Sequence, residues 1–153
     1  MALKVGDKIP EALGINQNGE AVKASNFAGS KLILYFYPKD STPGCTAEAC
    51  SFRDNFSYLI KKNYKVLGVS VDSQKSHLKF IEKQELPFDL ISDTDKVLVE
   101  LFGVWAEKTM AGRKYMGTMR TTFIVDETGV IQEIITAKAI KTKEHAEQIL
   151  ETR

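Results

Sequence analysis

The sequence predicts an α/β fold in which a mixed central β-sheet is flanked by helices on both faces. Two short apolar runs have the composition of buried strands, and segments with helical spacing of apolar residues lie between and after them. A strand–helix–strand order indicates parallel pairing, because the crossover helix returns the chain to the same edge of the sheet. A hairpin signal late in the chain adds antiparallel strands. With 153 residues, of which 43% are hydrophobic, the chain is expected to form one domain over residues 1–153.

The first buried strand is predicted at residues 32–37, where the run Leu-Ile-Leu-Tyr-Phe-Tyr is apolar throughout. Residues 38–44 are rich in turn formers, and a helix is predicted to follow them. Its apolar side chains recur at helical spacing: Phe52, Phe56, Leu59 and Ile60. A second buried strand is predicted at residues 65–71.

Two helices are predicted after the second strand. Asp72 or Ser73 can cap the first of them, which carries Leu78, Phe80 and Ile81. The second is short, at residues 95–102, and a glycine directly after it suits the left-handed conformation that ends many helices.

The C-terminal third predicts a hairpin and a closing helix. Strands at residues 121–125 and 130–134 flank the sequence Asp-Glu-Thr-Gly, which is typical of a tight turn. An amphipathic helix is predicted at residues 142–150. The order of elements is compatible with a thioredoxin-like fold, although the pattern alone does not single it out.

Composition and charge exclude several classes of function. The formal net charge of +1 gives no strong field for nucleic acid or an anionic membrane. Residues 1–7 lack the apolar stretch of a secretory signal, and no apolar run is long enough to span a bilayer. We therefore expect a soluble, cytoplasmic protein. In that reducing compartment its two cysteines are expected to be catalytic, redox-sensing or metal-binding rather than a structural staple.

The segment that carries chemistry begins where the predicted helix starts. If Pro43 is the first helical residue, Thr42 is the N-cap, and its hydroxyl can accept a backbone N–H of the first turn. Cys45 then lies at the third helical position, where free N–H groups and the helix dipole stabilise a thiolate. Lowering a cysteine pKa from ~8.5 to ~6 raises the thiolate population at pH 7 only about 30-fold. Most of an enzyme's rate would therefore come from donors aimed at the substrate, such as Thr42 and an arginine from elsewhere in the chain.

The second cysteine lies five residues further along the same predicted helix. In a regular helix, Cα atoms five residues apart are about 8.7 Å apart, whereas a disulfide requires roughly 4.4–6.8 Å. Cys45 and Cys50 could therefore join only if the first turns unwind. Spacing alone leaves open the alternative that Cys50 is a buried core residue.

Other polar residues carry weaker signals. Both histidines, His77 and His145, are predicted to be solvated residues on helices. Glu48 is interpreted as a first-turn charge that suits the helix dipole, and the alternative is that it forms part of the site. A metal half-site at the two cysteines would need two chains to complete four ligands. We expect no metal and no organic cofactor.

Three linked motifs occupy the segment around the cysteines: Phe-Tyr-Pro-Lys-Asp at 36–40, Thr-Pro-Gly-Cys-Thr at 42–46 and Glu-Ala-Cys at 48–50. Further stretches that belong to the same pattern lie at residues 92–93, 102–105, 120–126 and 129–131. Together they resemble the bacterioferritin-comigratory-protein or peroxiredoxin Q branch of the peroxiredoxins, over nearly the whole chain. The resemblance implies a thioredoxin-like fold and a thiol peroxidase activity.

The resemblance also implies roles for individual residues. Cys45 would be the peroxidatic cysteine and Cys50 the resolving one. Thr42 would hydrogen-bond the peroxide, Pro43 would shield the nascent sulfenic acid, and Arg120 would hold both thiolate and peroxide. Without the resemblance, Arg120 would be interpreted as a solvated arginine at the start of a strand. The implied partners are a hydroperoxide and a thioredoxin-type reductant. An intramolecular disulfide would make a second subunit unnecessary, so we expect a monomer.

Two other functions remain open at the level of the residues. A thiol–disulfide oxidoreductase would use paired cysteines on protein substrates, but such enzymes have Cys-x-x-Cys, whereas this chain has four residues between its cysteines. A non-enzymatic redox sensor or chaperone would use the disulfide to change a binding surface.

Overall fold

The computed structural model describes residues 2–152 and contains nine strands and five α-helices within that range. The strands are β1 (Ala12–Ile15), β2 (Ala21–Lys23), β3 (Lys31–Phe36), β4 (Tyr64–Ser70), β5 (Leu90–Ser92), β6 (Trp105–Met110), β7 (Arg113–Thr118), β8 (Thr121–Val125) and β9 (Ile131–Thr136). The helices are α1 (Pro43–Asp54), α2 (Phe56–Lys61), α3 (Gln74–Gln84), α4 (Val97–Leu101) and α5 (His145–Thr152). Short 3₁₀ turns at Ala24–Phe27 and Thr142–Glu144 complete the regular structure.

The central sheet has five strands in the order β5-β4-β3-β8-β9. The pairs β3–β4 and β4–β5 are parallel, whereas β3–β8 and β8–β9 are antiparallel. The mixed sheet is therefore confirmed, and its two halves follow from their connections. Helical crossovers join the parallel strands, and the predicted hairpin supplies the antiparallel ones.

Strand β3 is central because both of its faces are apolar. Ile33 and Tyr35 point to a core covered by α1, α2, α3 and α5. Leu32, Leu34 and Phe36 point to a second core, covered by α4 and by the hairpin of β1 and β2. Helices thus flank both faces, as predicted.

Several elements of the fold have no clear signal in the sequence. The segment between α4 and β8 forms a hairpin of β6 and β7, whose strands are mostly exposed and so lack the apolar alternation that predicts a strand. Its turn residues, Ala111 and Gly112, both have positive φ, but Ala-Gly is not a common turn signal. Strand β5 has only three residues. The helix after the first strand ends at Asp54 and restarts at Phe56, so Ile60 faces solvent.

The pairing of β3 with β8 determines where the site lies. Phe36, the last residue of β3, pairs with Thr121, the first residue of β8. The loop after β3 and the residue before β8 therefore meet at one end of the sheet. None of the helices in residues 2–152 combines the length and apolar character needed to cross a bilayer.

Candidate active site

Helix α1 begins at Pro43, as predicted, and Thr42 occupies its N-cap position. The Thr42 hydroxyl does not cap the helix, however. It donates instead to the backbone carbonyl of Lys39 at 2.8 Å, so the predicted capping bond is wrong. The hydroxyl proton is committed to the loop, which leaves the oxygen lone pairs of Thr42 able to accept a hydrogen bond from a substrate.

The thiol of Cys45 lies at the third position of α1 and is 1% exposed. Its Sγ accepts a hydrogen bond from Nη2 of Arg120 at 3.4 Å. The backbone of Gly44 lets the guanidinium approach, since a Cβ there would lie 3.1 Å from the same Nη2. The structure thus brings Cys45, Thr42 and Arg120 to the start of one helix, with the exposed Pro43 between the first two.

Glu48 is the partner of Arg120 on its other side. Its Oε1 accepts from Nη1 of Arg120 at 2.5 Å, and its side chain is completely buried. A fully buried acid is unusual unless it is paired. The interpretation of Glu48 as a first-turn charge that merely suits the helix dipole is therefore wrong, and the contact with Arg120 favours the alternative that it is part of the site. The sequence did hold a signal, because Glu48 follows Cys45 by three residues and so lies on the same face of the helix.

The electrostatics of this group depend on burial. Loss of solvent raises the pKa of Glu48 to about 7, although Arg120 acts in the opposite direction. Burial lowers the pKa of Arg120, but Glu48 and Cys45 outweigh that effect and raise it overall. Arg120 therefore stays charged and is shared between a carboxylate and a sulfur.

Two buried polar atoms near this group have no hydrogen-bond partner among the described residues. They are the Oε2 of Glu48 and the hydroxyl of Tyr35. The Nε2 of His145 lies 3.9 Å from that Oε2, beyond hydrogen-bond range. His145 is fully buried, so the prediction that it is solvated is wrong.

Lys108 of the β6–β7 hairpin also reaches the edge of the site. Its Nζ donates to the backbone carbonyl of Thr118 at 3.0 Å, two residues before Arg120. Burial lowers the pKa of Lys108, and the charge of Arg120 lowers it further, whereas Cys45 raises it. Lys108 was not among the predicted site residues because the hairpin that carries it was not predicted.

Cys50 lies on the same helix but has different surroundings. It is partly buried, and its Sγ donates to Oε1 of Gln84, the last residue of α3, at 3.5 Å. Arg53 strengthens the same junction by donating to the backbone carbonyl of Gln84 at 2.7 Å. Both cysteines are free, and α1 is continuous between them. The structure places both cysteines on one helix but not within bonding distance.

A second buried network holds the loop after β3. The carboxylate of Asp40 accepts from the hydroxyl of Tyr37 at 2.5 Å and from that of Ser76 at 2.8 Å. The same carboxylate lies 2.6 Å from Nδ1 of His77, whose Nε2 bonds the carbonyl of Ile91 at 2.9 Å. His77 is completely buried, so the prediction that it is solvated is also wrong. The network fixes the loop that carries Thr42.

Within residues 2–152, one group of side chains has the proximity that a metal would need, namely Asp40, Asp72 and His77. It contains neither cysteine, and its members already bond one another or their neighbours. Cys45 and the side chains around it form a group separate from this one.

Comparisons with known proteins agree with this geometry. The model of the AhpC/TSA family matches residues 5–134. Peroxiredoxin Bcp of Bacillus subtilis is 43% identical over 153 residues, which cover 99% of this chain and 96% of that protein. A putative peroxiredoxin bcp of Coxiella burnetii is 48% identical over 134 residues, or 88% of this chain and 89% of that one.

Solved structures give the same result. A cysteine-to-serine variant of Xylella fastidiosa PrxQ superimposes with a TM-score of 0.88 at 35% identity, covering 99% of this chain and 95% of that one. The bacterioferritin comigratory protein of Xanthomonas campestris, studied for alkyl peroxide reduction, superimposes with a TM-score of 0.82 at 36% identity. The match covers 95% of this chain and 96% of that one. The thioredoxin-like fold and the resemblance drawn from the sequence are confirmed. The chain belongs to the AhpC/TSA family, as a peroxiredoxin of the Bcp and PrxQ type.

Proposed function

We propose that Cys45 is the peroxidatic residue of this thiol peroxidase and that Cys50 is its resolving residue. The observation that carries the proposal is the hydrogen bond between Arg120 and Cys45 Sγ at the N-terminus of α1. A guanidinium and a helix terminus both favour the thiolate, which is the nucleophilic form of cysteine. No other thiol in residues 2–152 has such surroundings.

In the first step, the thiolate of Cys45 attacks the terminal oxygen of the hydroperoxide. A sulfur–oxygen bond forms while the oxygen–oxygen bond breaks, and its electron pair leaves on the second oxygen. That oxygen takes up one proton and departs as water or an alcohol. Sulfur is oxidised to the sulfenic acid, and the peroxide is reduced.

Arg120 stabilises the charge that moves from sulfur to the leaving oxygen. Glu48 holds its Nη1, so Nη2 is directed at sulfur before the substrate arrives and little reorganisation is needed. Thr42 accepts the O–H of the hydroperoxide through the lone pairs that its bond to Lys39 leaves free. Pro43 lies between Thr42 and Cys45, where its ring limits the approach of water to the sulfenic acid.

In the second step, the thiolate of Cys50 attacks the sulfenic sulfur, and hydroxide leaves and is protonated to water. The product is an intramolecular disulfide. Because α1 is regular between the two cysteines, its first turns must unwind before the sulfurs meet. A thioredoxin-type dithiol then reduces the disulfide and restores both thiols.

The finer assignments follow from this cycle. An intramolecular disulfide requires no second subunit, so we propose a monomer that forms one domain over residues 1–153. Because the cycle needs a reduced dithiol partner, we propose that it operates in the cytoplasm. Organic hydroperoxides are proposed as substrates beside hydrogen peroxide, because the Xanthomonas relative is described for alkyl peroxide reduction.

Steady-state peroxide consumption with thioredoxin, thioredoxin reductase and NADPH tests the assignment. The wild type should turn over with hydrogen peroxide and with an alkyl hydroperoxide. Cys45→Ser should be inactive, since a serine hydroxyl is hardly ionised at neutral pH. Cys50→Ser should reduce about one peroxide per chain and then stop. Full turnover by Cys45→Ser would refute the assignment of Cys45, and full turnover by Cys50→Ser that of Cys50.

A further inference from the structure

Next to Arg120 lie two buried groups that can each take up a proton. Glu48 and His145 are both fully buried, and Oε2 of Glu48 faces Nε2 of His145 across 3.9 Å. The other oxygen of Glu48 is bound to Arg120. The mechanism described above uses that bond to Arg120 and makes no use of His145.

The hydrogen bonds of His145 identify which of its nitrogens can change protonation. Its Nδ1 lies 3.1 Å from Oε1 of Gln148. That oxygen also accepts from the backbone N–H of Lys141, while the amide nitrogen of Gln148 donates to the carbonyl of Ala139. Oε1 is thus fixed as an acceptor, and Nδ1 must carry a proton. The nitrogen with a variable proton is Nε2, which faces Glu48.

The neighbour of Nε2 can hydrogen-bond both the neutral and the protonated imidazole. The hydroxyl of Thr122 lies 2.8 Å from it and can donate to a neutral ring or accept from a charged one. The ring of Phe52 packs against the imidazole, and Ala146 donates its N–H to Ser51, so α5 is held firmly on α1. Lys143 and Glu144, the charged residues just before His145, are exposed to solvent.

The titratable groups that face Glu48 form a row: Cys45 on its own helix, Arg120 before β8, His145 at the start of α5 and Tyr35 of β3, whose phenol is neutral because burial raises its pKa. If the Glu48–His145 pair holds no extra proton, Arg120 is shared between two anions, the carboxylate and the thiolate. If the pair holds one proton, Arg120 faces the thiolate with little competition, and the row is neutral overall. A proton on the pair and a negative charge on Cys45 therefore favour each other.

We propose that Glu48 and His145 form a buried proton-holding pair that acts through Arg120 to stabilise the Cys45 thiolate, with His145 as a positioning residue. The proposal rests on the assignment of Cys45 as the nucleophile. When the thiolate becomes a neutral sulfenic acid, Arg120 is left to Glu48 alone, and the pair holds its proton less tightly. The pair then releases one proton at the step in which the leaving oxygen takes one up, so charge and protons balance.

A double-mutant cycle separates this role from a structural one. The readout is the rate at which iodoacetamide alkylates Cys45 as a function of pH, in a Cys50→Ser background so that a single thiol reacts. His145→Asn keeps an amide donor for Gln148 and removes Nε2. In this variant the midpoint of the pH dependence of Cys45 alkylation should rise by about 0.5 to 1 pH unit, the scale of one nearby charge. In a Glu48→Gln background the same change should have almost no effect, because His145 acts through Glu48.

Equal shifts in the two backgrounds would overturn the proposal, and so would the absence of a shift in the first. If His145→Asn fails to fold, NMR titration of the His145 ring in wild type and Glu48→Gln decides the question. The midpoint of the ring should fall when Glu48 is neutralised, and an unchanged midpoint would refute the pairing. Glu147→Gln is the matched control, since it removes an exposed acid from the same helix as His145 and should leave the midpoint of Cys45 alkylation unchanged. Alkylation reports on Cys45 whether or not the protein consumes peroxide, so failure of this proposal is distinct from failure of the proposed function.

Discussion

The Nη2 of Arg120 lies 3.4 Å from the Sγ of Cys45, although the two residues are 75 positions apart in the chain. The contact is a direct result of sheet topology. Strand β3 ends just before the loop that leads to Cys45, and β8 begins just after Arg120, and the two strands are antiparallel neighbours. One end of the sheet therefore delivers both the nucleophile and the cation that stabilises it.

Replacement of this arginine by lysine should slow the reaction although the charge is kept. Arg120 bonds Cys45 and Glu48 through separate nitrogens of one planar group, and a lysine ammonium cannot present that fork. We expect the second-order rate with hydrogen peroxide to fall about tenfold or more in Arg120→Lys, on the scale of one lost donor. Stopped-flow measurement of sulfenic acid formation gives this rate directly. An unchanged rate would mean that the forked contact of Arg120 does not stabilise the transition state.

Substitution of Thr42 tests whether its hydroxyl contacts the substrate. Because that hydroxyl donates to Lys39 and does not cap α1, its loss should affect the peroxide reaction more than the stability of the helix. We expect Thr42→Val to slow the reaction with peroxide by about tenfold or more. Thr42→Ser keeps the hydroxyl and should retain most of the rate. A rate retained in Thr42→Val would show that the hydroxyl does not contact the peroxide, and a loss confined to Thr42→Ser would instead indicate a role for the threonine methyl group in packing.

The parts of the fold that the sequence predicted well carry a clear local signal, either a continuous apolar run or a typical helix start. Strand β3 is apolar on both sides, and Pro43 after a turn-rich stretch marks the start of α1. The β6–β7 hairpin escaped prediction because its side chains are mostly exposed, so no hydrophobic pattern marks it.

The site was predictable only in part. Cys45 and Thr42 are close in sequence, and helix geometry relates them. The roles of Arg120 and His145 depend on strand pairing and helix docking, which no local pattern encodes. The burial of His77 and His145 was not predicted, because the sequence alone does not show whether a histidine on a helix faces the core or solvent. The partners that explain their burial, Asp40 and Glu48, are known only from the structure.

The buried Glu48 should make stability depend on pH. Its pKa is raised from an ordinary value of 4.5 to about 7 in the folded state. A raised pKa means that the folded state binds the proton more tightly than the unfolded state does. The contribution of Glu48 to the free energy of unfolding is therefore fully present below pH 4.5 and is lost as the pH rises through about 7. This difference between the pKa values of Glu48 in the unfolded and folded states corresponds to about 3 kcal/mol in the free energy of unfolding.

Chemical denaturation at pH 5 and pH 8 can test this effect. The free energy of unfolding of the wild type should fall between the two, and Glu48→Gln should lose a large part of that fall because it has no proton to release. Glu147→Gln, which removes an exposed acid from α5, should behave as the wild type does. If Glu48→Gln shows the same pH dependence as the wild type, Glu48 is not the group that titrates.

Oxidation should partly unfold the start of α1. Both cysteines lie on one continuous helix, and regular geometry separates their Cα atoms by about 2 Å more than the longest usual disulfide. Unwinding from the N-terminus costs least, because the first N–H groups have no partners within the helix to lose. Cys50 must also give up its bond to Gln84. Phe52 is completely buried against Tyr35 and His145, so we expect unwinding to stop before it.

Backbone amide exchange in the dithiol and disulfide forms measures this change. Several intrahelical hydrogen bonds open, at a net cost of about 1 kcal/mol each, and a ring this short gains little from loop closure. The disulfide form should therefore be less stable by a few kcal/mol and easy to reduce, as turnover requires. Amides of residues 45–51 should exchange faster after oxidation, while those of β3 and β4 stay protected. Cys50→Ser treated with the same peroxide controls for sulfenic acid formation alone, and its helix should remain protected. If residues 45–51 are equally protected in both redox states of the wild type, the two cysteines of one chain do not form the catalytic disulfide, because a regular helix cannot accommodate it.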